Sequence, residues 1–390
     1  MITDSMPSSK TGHLLAHTLR RRTILIVFLA ITLILLYPLG SSFLLPAPAT
    51  PLSPSSPFAG SPLSPTPEKS KDISAYDLLS RPVTSDLTTI PKIIHQTWFP
   101  AGTNMSDSAN QWVETVKTHH PDWEYVLWDD ESDEMIVKKH FPWFLETYNS
   151  LPKEINRADM ARNFYMFLFG GMYADVDTEA LRPVNSLFAS HDVALAPHLE
   201  ILSSNPGPAS GRKVQRAFMG RMAHTLDPEG LGAIPNGWMA SPPGHPFWLL
   251  PVLSVLSNPK GDGSVEGMTG PGILGPLIKQ YFNGRRNGEA EAATLRRQLC
   301  KRVQAIQPSW DLFCPDHSLE DGIAGDELKH SLVLLPREQI YPFSWVDDGD
   351  IKSCLGSKGN SELFDPDACK RRMDVDAWPS YFITYCTHTW

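Results

Sequence analysis

The chain has 390 residues, 42% of them hydrophobic and 20% charged, a balance that allows one large domain with a sizeable core. Its net charge of −9 excludes the basic surcharge of a nucleic-acid binder. The five cysteines, all at or beyond Cys300, form no C-x-x-C pair, which excludes the common structural zinc spacings.

Residues 1–22 read as a cytosolic tail closing on Arg20, Arg21 and Arg22. Residues 23–45 (TILIVFLAITLILLYPLGSSFLL) carry no charge. A bilayer core needs about 20 apolar residues in a helix, so this segment is long enough to span. The arginines before it and the absence of basic residues until Lys69 predict a cytosolic N-terminus and a lumenal remainder. A cleaved signal peptide would carry a shorter apolar run and a small-residue cleavage site. Residues 46–88 begin PAPATPLSPSSPFAGSPLSPTP, a proline- and serine-rich composition that makes an extended stem. Tail, span, stem and large domain form the plan of a type II membrane protein of the Golgi or ER. Asn104-Met105-Ser106 is the one N-glycosylation sequon.

The globular domain is expected over residues 89–390. Residues 92–98 (KIIHQTW) predict a buried strand, 110–119 a helix and 125–128 a second strand; Ser132 predicts an N-cap for a helix running to His140. Strands alternating with helices imply an α/β domain with a mainly parallel sheet, whose ligands sit at the carboxyl ends of the strands. If the domain is lumenal, disulfides form; the local pairs Cys300–Cys314 and Cys354–Cys369 are candidates, although spacing does not fix connectivity.

The chemistry concentrates in residues 153–183, KEINRADMARNFYMFLFGGMYADVDTEALRP. A helix apolar on nearly every face in its second half is a buried helix, and Gly170-Gly171 ends it. Met172, Tyr173 and Ala174 predict a short strand that delivers Asp175-Val176-Asp177. Side chains two apart in an extended segment point the same way, so Asp175 and Asp177 converge. Two such carboxylates repel, and a hard divalent cation, Mg²⁺ or Mn²⁺, relieves the repulsion while sharing its shell with substrate phosphates. Asp159 and Arg162, three apart on the helix, can accept from and donate to sugar hydroxyls; Arg157 reads equally as a solvated residue of the helix start.

R-A-D-x-x-R, a buried helix, G-G-x-Y and D-x-D together are far more specific than D-x-D alone. This run resembles glycosyltransferase family 32, especially its fungal initiation-specific alpha-1,6-mannosyltransferases, and is similar to the glucosyltransferase domains of large clostridial toxins. Ile90 to Trp98 (IPKIIHQTW) resembles the family's first motif. The resemblance implies a GT-A fold, a retaining reaction, Mn²⁺ or Mg²⁺, and a nucleotide sugar, here GDP-mannose. It implies that Trp98 stacks on the base, that Asp159, Arg162 and Tyr173 contact the donor sugar, and that Asp175 and Asp177 are the catalytic pair handling ribose, metal and diphosphate. His388, in the closing H-x-W, is implied as a further metal ligand, although the S-W that often follows is missing. Thr269-Gly270-Pro271 and the segment around Trp238 resemble family segments near the pocket, and Glu266 is a candidate polar contact. The expected acceptor is an N-glycan core of glycoproteins, with a sphingolipid headgroup as alternative. A catalytically weak scaffold subunit of a Golgi glycosyltransferase complex is the non-enzymatic alternative. A phosphatase of the haloacid dehalogenase type also uses D-x-D, but places it after the first strand of its domain, whereas here an α/β segment from Ile90 onward precedes it.

Overall fold

The computed structural model describes residues 68–203, 214–222, 233–286, 289–314, 329–345, 347–356, 362–377 and 379–387. The tail, the apolar segment 23–45, most of the stem and His388 lie outside the described residues. Among the described residues no helix is long and apolar enough to cross a membrane.

Eleven strands are described: β1 (Lys71–Asp72), β2 (Ile90–Pro91), β3 (Ile93–Thr97), β4 (Glu124–Trp128), β5 (Gly171–Ala174), β6 (Thr178–Ala180), β7 (Leu195–Ala196), β8 (Val214–Gly220), β9 (Trp238–Ser241), β10 (Lys329–Leu335) and β11 (Phe382–Thr384). Seven make the central sheet in the order β1-β4-β3-β5-β9-β8-β10. All run parallel except β9, which lies antiparallel between β5 and β8. The fold is therefore mixed α/β with a mainly parallel sheet, as the alternation of elements predicts.

All five residues of β3 are buried, the mark of a central strand covered on both faces. Its neighbours share their side chains between two cores with a period of two. Ile93, Tyr173 and Met239 face the core built with helix α3 (Glu154–Leu168), whereas Ile94, Met172, Ala174, Trp238 and Ala240 face the opposite one. That second core is closed by α1 (Asp107–His119) through Trp112, Val113 and Val116.

Two boundaries differ from the sequence expectation. β1 pairs with β4, and the next helix, Ala75–Ser80, buries Ala75, Leu78 and Leu79, so the domain begins well before residue 89. Ile73 and these three apolar residues are too few to show periodicity beside a proline-rich segment. Helix α2 (Asp130–His140) is capped by Asp129, whose carboxylate accepts from the Ser132 N–H at 2.8 Å. Ser132 sits at the third helical position and returns a hydrogen bond to the Asp129 N–H, so the two form a capping box rather than a serine cap.

Both expected disulfides are present, Cys300–Cys314 and Cys354–Cys369, and Cys386 is a buried free thiol.

Candidate active site

From Ala158 to Leu168 every residue of α3 is buried, so this helix cannot rotate or fray without opening the core. Its C-terminal connection needs glycine twice. Gly170 and Gly171 have φ of +66° and +88°, and a Cβ on Gly171 would stand 2.5 Å from the Ile93 carbonyl oxygen of β3. The close approach lets β5 pair beside β3 and end with Asp175 at the carboxyl edge of the sheet.

Arg162 organises the acidic groups. Its Nη1 donates to Asp175 Oδ1 and to the Asn236 carbonyl oxygen, both at 3.1 Å, and its Nη2 lies 3.4 Å from Asp159 Oδ1. The guanidinium also stands 4.7 Å from the centroid of the Tyr173 ring, whose hydroxyl donates to Asp175 Oδ1 at 2.7 Å. Asp159 accepts from Asn236 Nδ2 at 2.8 Å and from the Thr269 hydroxyl at 3.1 Å. Burial raises the Asp159 carboxyl above its ordinary value, and Arg162 offsets part of that rise. Burial likewise works against the charge on Arg162, but Tyr173, Asp175 and Asp159 outweigh it and hold the guanidinium ionised.

Asp177 is held by a segment far away in sequence. β11 runs antiparallel to β6, pairing Thr384 with Thr178, and so lays residues 384–387 over the motif. The Thr387 N–H and hydroxyl both donate to Asp177 Oδ2, at 3.3 and 3.2 Å, and the Thr384 hydroxyl reaches Oδ1 at 3.5 Å. Burial first, and then the Asp175 charge, push the Asp177 carboxyl up to about 7. Arg162 pairs with Asp175, whereas burial and the Asp175 charge act against ionised Asp177, a repulsion that a divalent cation between the two carboxylates would relieve. Among the described residues no group of three or more His, Cys, Asp or Glu side chains could hold a metal. A cation on Asp175 and Asp177 would complete its shell with water and substrate oxygens, the habit of Mg²⁺.

Asp159, Arg162, Asp175 and Asp177 line one cavity of about 490 Å³, together with Asn236, Gly237, Glu266, Tyr341, Trp345 and Thr384. A second groove of about 640 Å³, lined by Phe99, Lys153, Glu154 and Arg157, shares Ile155, Val265 and Glu266 with it. Tyr173 does not line the cavity; it is buried behind Asp175 and supports that carboxylate, so it is placed to orient rather than to touch a sugar. Trp98 follows β3, but its indole N–H is bonded to Thr103, and the groove is lined instead by its neighbour Phe99. Of the weaker candidates, Thr269 bonds Asp159, while Pro271 and Glu266 line the cavity; Trp238 is buried in the core. Asn104 is exposed, and Ser106 of its sequon caps α1.

Sequence reasoning missed Asn236, Gly237, Tyr341, Thr384 and Thr387. Asn236-Gly237 reads as turn punctuation. Yet Gly237 is bare because a Cβ there would stand 2.6 Å from Asp175 Oδ2.

Residues 106–194 match the family model described as glycosyltransferase sugar-binding region containing DXD motif. The chain belongs to this glycosyltransferase family. It is 33% identical over 210 residues to mannosyl phosphorylinositol ceramide synthase CSH1 of Saccharomyces cerevisiae, covering 51% of this chain and 46% of that protein. To inositol phosphoceramide mannosyltransferase 2 of Schizosaccharomyces pombe it is 34% identical over 263 residues, 66% of each chain. To the initiation-specific alpha-1,6-mannosyltransferase of Candida albicans it is 27% identical over 307 residues, 74% of this chain and 72% of that one. The match thus spans less than half the length of the first of these relatives. The family's DXD is Asp175-Val176-Asp177, and all four carboxylate and guanidinium groups described above fall inside the matched region.

Proposed function

We propose that the chain is a metal-dependent, retaining mannosyltransferase of GT-A type that moves mannose from GDP-mannose to an inositol phosphoceramide headgroup. One observation carries the enzymatic reading: the DXD pair shares a cavity with Asp159 and Arg162, an arrangement suited to holding a sugar and its diphosphate together. In this reading Asp175 and Asp177 hold Mn²⁺ or Mg²⁺ against the diphosphate, and the metal supplies neutralisation of leaving-group charge. Asp159, with Asn236, accepts hydrogen bonds from the sugar hydroxyls while Arg162 fixes the carboxylates, and the base lies toward Phe99 and Trp98. His388 is the candidate for a further ligand. The intact acidic set weighs against a scaffold that has lost its chemistry.

The acceptor assignment reverses the order expected from sequence. The activities named for the relatives at 33% and 34% identity support a sphingolipid headgroup over an N-glycan core. The N-glycan core stays as the second reading, supported by the longer but weaker similarity to the initiation-specific enzyme. Residues 23–45 support a single-pass type II anchor in the Golgi or ER, where the two disulfides would form, Asn104 would be glycosylated and partner glycosyltransferases would be met.

The test is transfer of labelled mannose from GDP-mannose, with Mn²⁺, to vesicles of inositol phosphoceramide and separately to an N-glycan core, by the full chain in detergent. Labelled lipid is expected, and none with Asp175→Asn. Use of a UDP-sugar instead of GDP-mannose would overturn the donor assignment, and labelled N-glycan without labelled lipid would overturn the acceptor assignment.

A further inference from the structure

The cavity has a wall that the donor does not need. β5, which delivers Asp175, and β10 are parallel and leave the sheet at the same edge, separated by β9 and β8. Three strand spacings put the ends of β5 and β10 about 14 Å apart. Beyond β10 come Tyr341 and Trp345, which line the cavity with the DXD pair. The groove at Phe99 opens on the other side of β5, because β3 lies between β5 and β4. A nucleotide sugar with its diphosphate on Asp175 and Asp177 and its base toward Phe99 therefore leaves the Trp345 end to the second substrate.

Trp345 is 54% exposed, and its segment is tied down. Arg337 pairs with Asp347 at 3.0 Å and with Asp348, and Asp348 accepts from the Ser344 N–H at 3.1 Å. The Asp348 N–H returns a 2.7 Å bond to the Ser344 carbonyl oxygen. Tyr341 is fixed as well, its ring against Gly220, where a Cβ would come within 2.7 Å. Its buried hydroxyl has no hydrogen-bond partner among the described residues, an expensive omission unless a bound molecule supplies one. An aromatic face on a tied-down segment, with an unsatisfied hydroxyl lining the same cavity, matches a polyol ring, which offers an apolar C–H face and hydroxyls at its rim.

Resting on the transferase reading above, we infer that Trp345 and Tyr341 form the acceptor subsite, Trp345 stacking on the acceptor's polyol ring and Tyr341 hydrogen-bonding one of its hydroxyls. The substrate class is a cyclic polyol, whether the inositol of a lipid headgroup or a hexose of a glycan; the shared chemistry is the ring.

The test compares Trp345→Ala, Trp345→Phe and Tyr341→Phe in the full chain, measuring the KM for inositol phosphoceramide in vesicles and for a mannose-terminated glycan, alongside the KM for GDP-mannose. Trp345→Ala is expected to raise the KM of whichever acceptor is used at least tenfold, and Trp345→Phe to restore most of it. Tyr341→Phe is expected to raise it about fivefold, the loss of one hydrogen bond. The KM for GDP-mannose and the melting shift given by GDP-mannose with Mn²⁺ stay within twofold throughout. Acceptor KM values within twofold of the parent, or an equal rise in the donor KM, overturn the subsite. A parent chain that binds no nucleotide sugar and transfers to neither acceptor overturns the transferase reading, and the subsite with it.

Discussion

Thr387 donates its backbone N–H and its hydroxyl to the same oxygen of Asp177, across 210 residues of sequence. The second aspartate of the DXD motif is thus positioned by a residue remote in sequence. Removing the hydroxyl with Thr387→Val keeps the N–H bond and the side-chain volume. Hydrogen bonds to charged groups contribute about 1.5–3 kcal/mol. Mannose transfer is expected to fall at least tenfold while the melting temperature drops by only a few degrees; steady-state kinetics and a thermal melt check both.

Gly237→Ala separates activity from stability. The new Cβ would press on Asp175 Oδ2, while Arg162 and Tyr173 hold Oδ1, so the carboxylate turns about its bonded oxygen rather than the backbone moving, and the fold loses little. The carboxylate leaves its place, however, and catalytic groups displaced by about 1 Å can lose a hundredfold in rate. The expected outcome is a near-parental melt with transfer reduced about a hundredfold and a weaker Mn²⁺-dependent shift by GDP-mannose.

Arg162→Met should behave in the opposite way. It leaves Asp159 and Asp175 without their shared cation in a buried setting. Breaking a buried pair costs about 3–5 kcal/mol, so urea unfolding is expected to show a loss of that size together with loss of activity. Arg162→Lys keeps the charge but not the two-pronged geometry, and is expected to recover stability better than turnover.

Acid should destabilise the domain through its buried histidines. Burial lowers His95 to about 3, and His120 and His198 to about 4. Burial keeps His95 neutral against the opposing effect of its hydrogen bond to the Gly170 carbonyl oxygen at 2.9 Å, while Nδ1 accepts from Trp128 Nε1 at 3.1 Å. With folded values below the unfolded one near 6.5, these residues contribute stability that is complete above pH 6.5 and is lost as pH falls toward 4. Each removes up to about 1.4 kcal/mol per pH unit across that interval. The denaturant midpoint is expected to fall steeply from pH 6.5 to 5, less so in His95→Gln.

Reduction should destabilise the domain. Cys354–Cys369 closes a separation of 15 residues and Cys300–Cys314 one of 14. A loop of that length is worth about 3 kcal/mol in the chain-entropy account. Cys354→Ala with Cys369→Ala is expected to lower the melting temperature by several degrees, and treatment of the parent with reductant to do the same.

The local elements were legible because each carries its own periodicity or punctuation. β3, β4, α3 and the Gly170-Gly171 stop all follow from runs of contiguous residues, and the DXD at the end of β5 follows from the strand before it. Where Asp129 rather than Ser132 capped α2, the sequence offered two competent oxygens, and only the strand end fixed which one faced the helix.

By itself the sequence determined the α/β class, the acidic motif and the residues three apart that join it, since each depends on neighbours within a few turns of chain; the cysteine pairs were candidates that the structure fixed. The tertiary structure decided the rest. It put Asn236 and Thr269 on Asp159, turned Tyr173 to support Asp175, left room at Gly237, set Thr387 on Asp177, and brought Thr384, Tyr341 and Trp345 to the same cavity. Those contacts join segments as much as 210 residues apart, and which segments meet is set by strand order in the sheet, a property of the whole core rather than of any stretch of sequence.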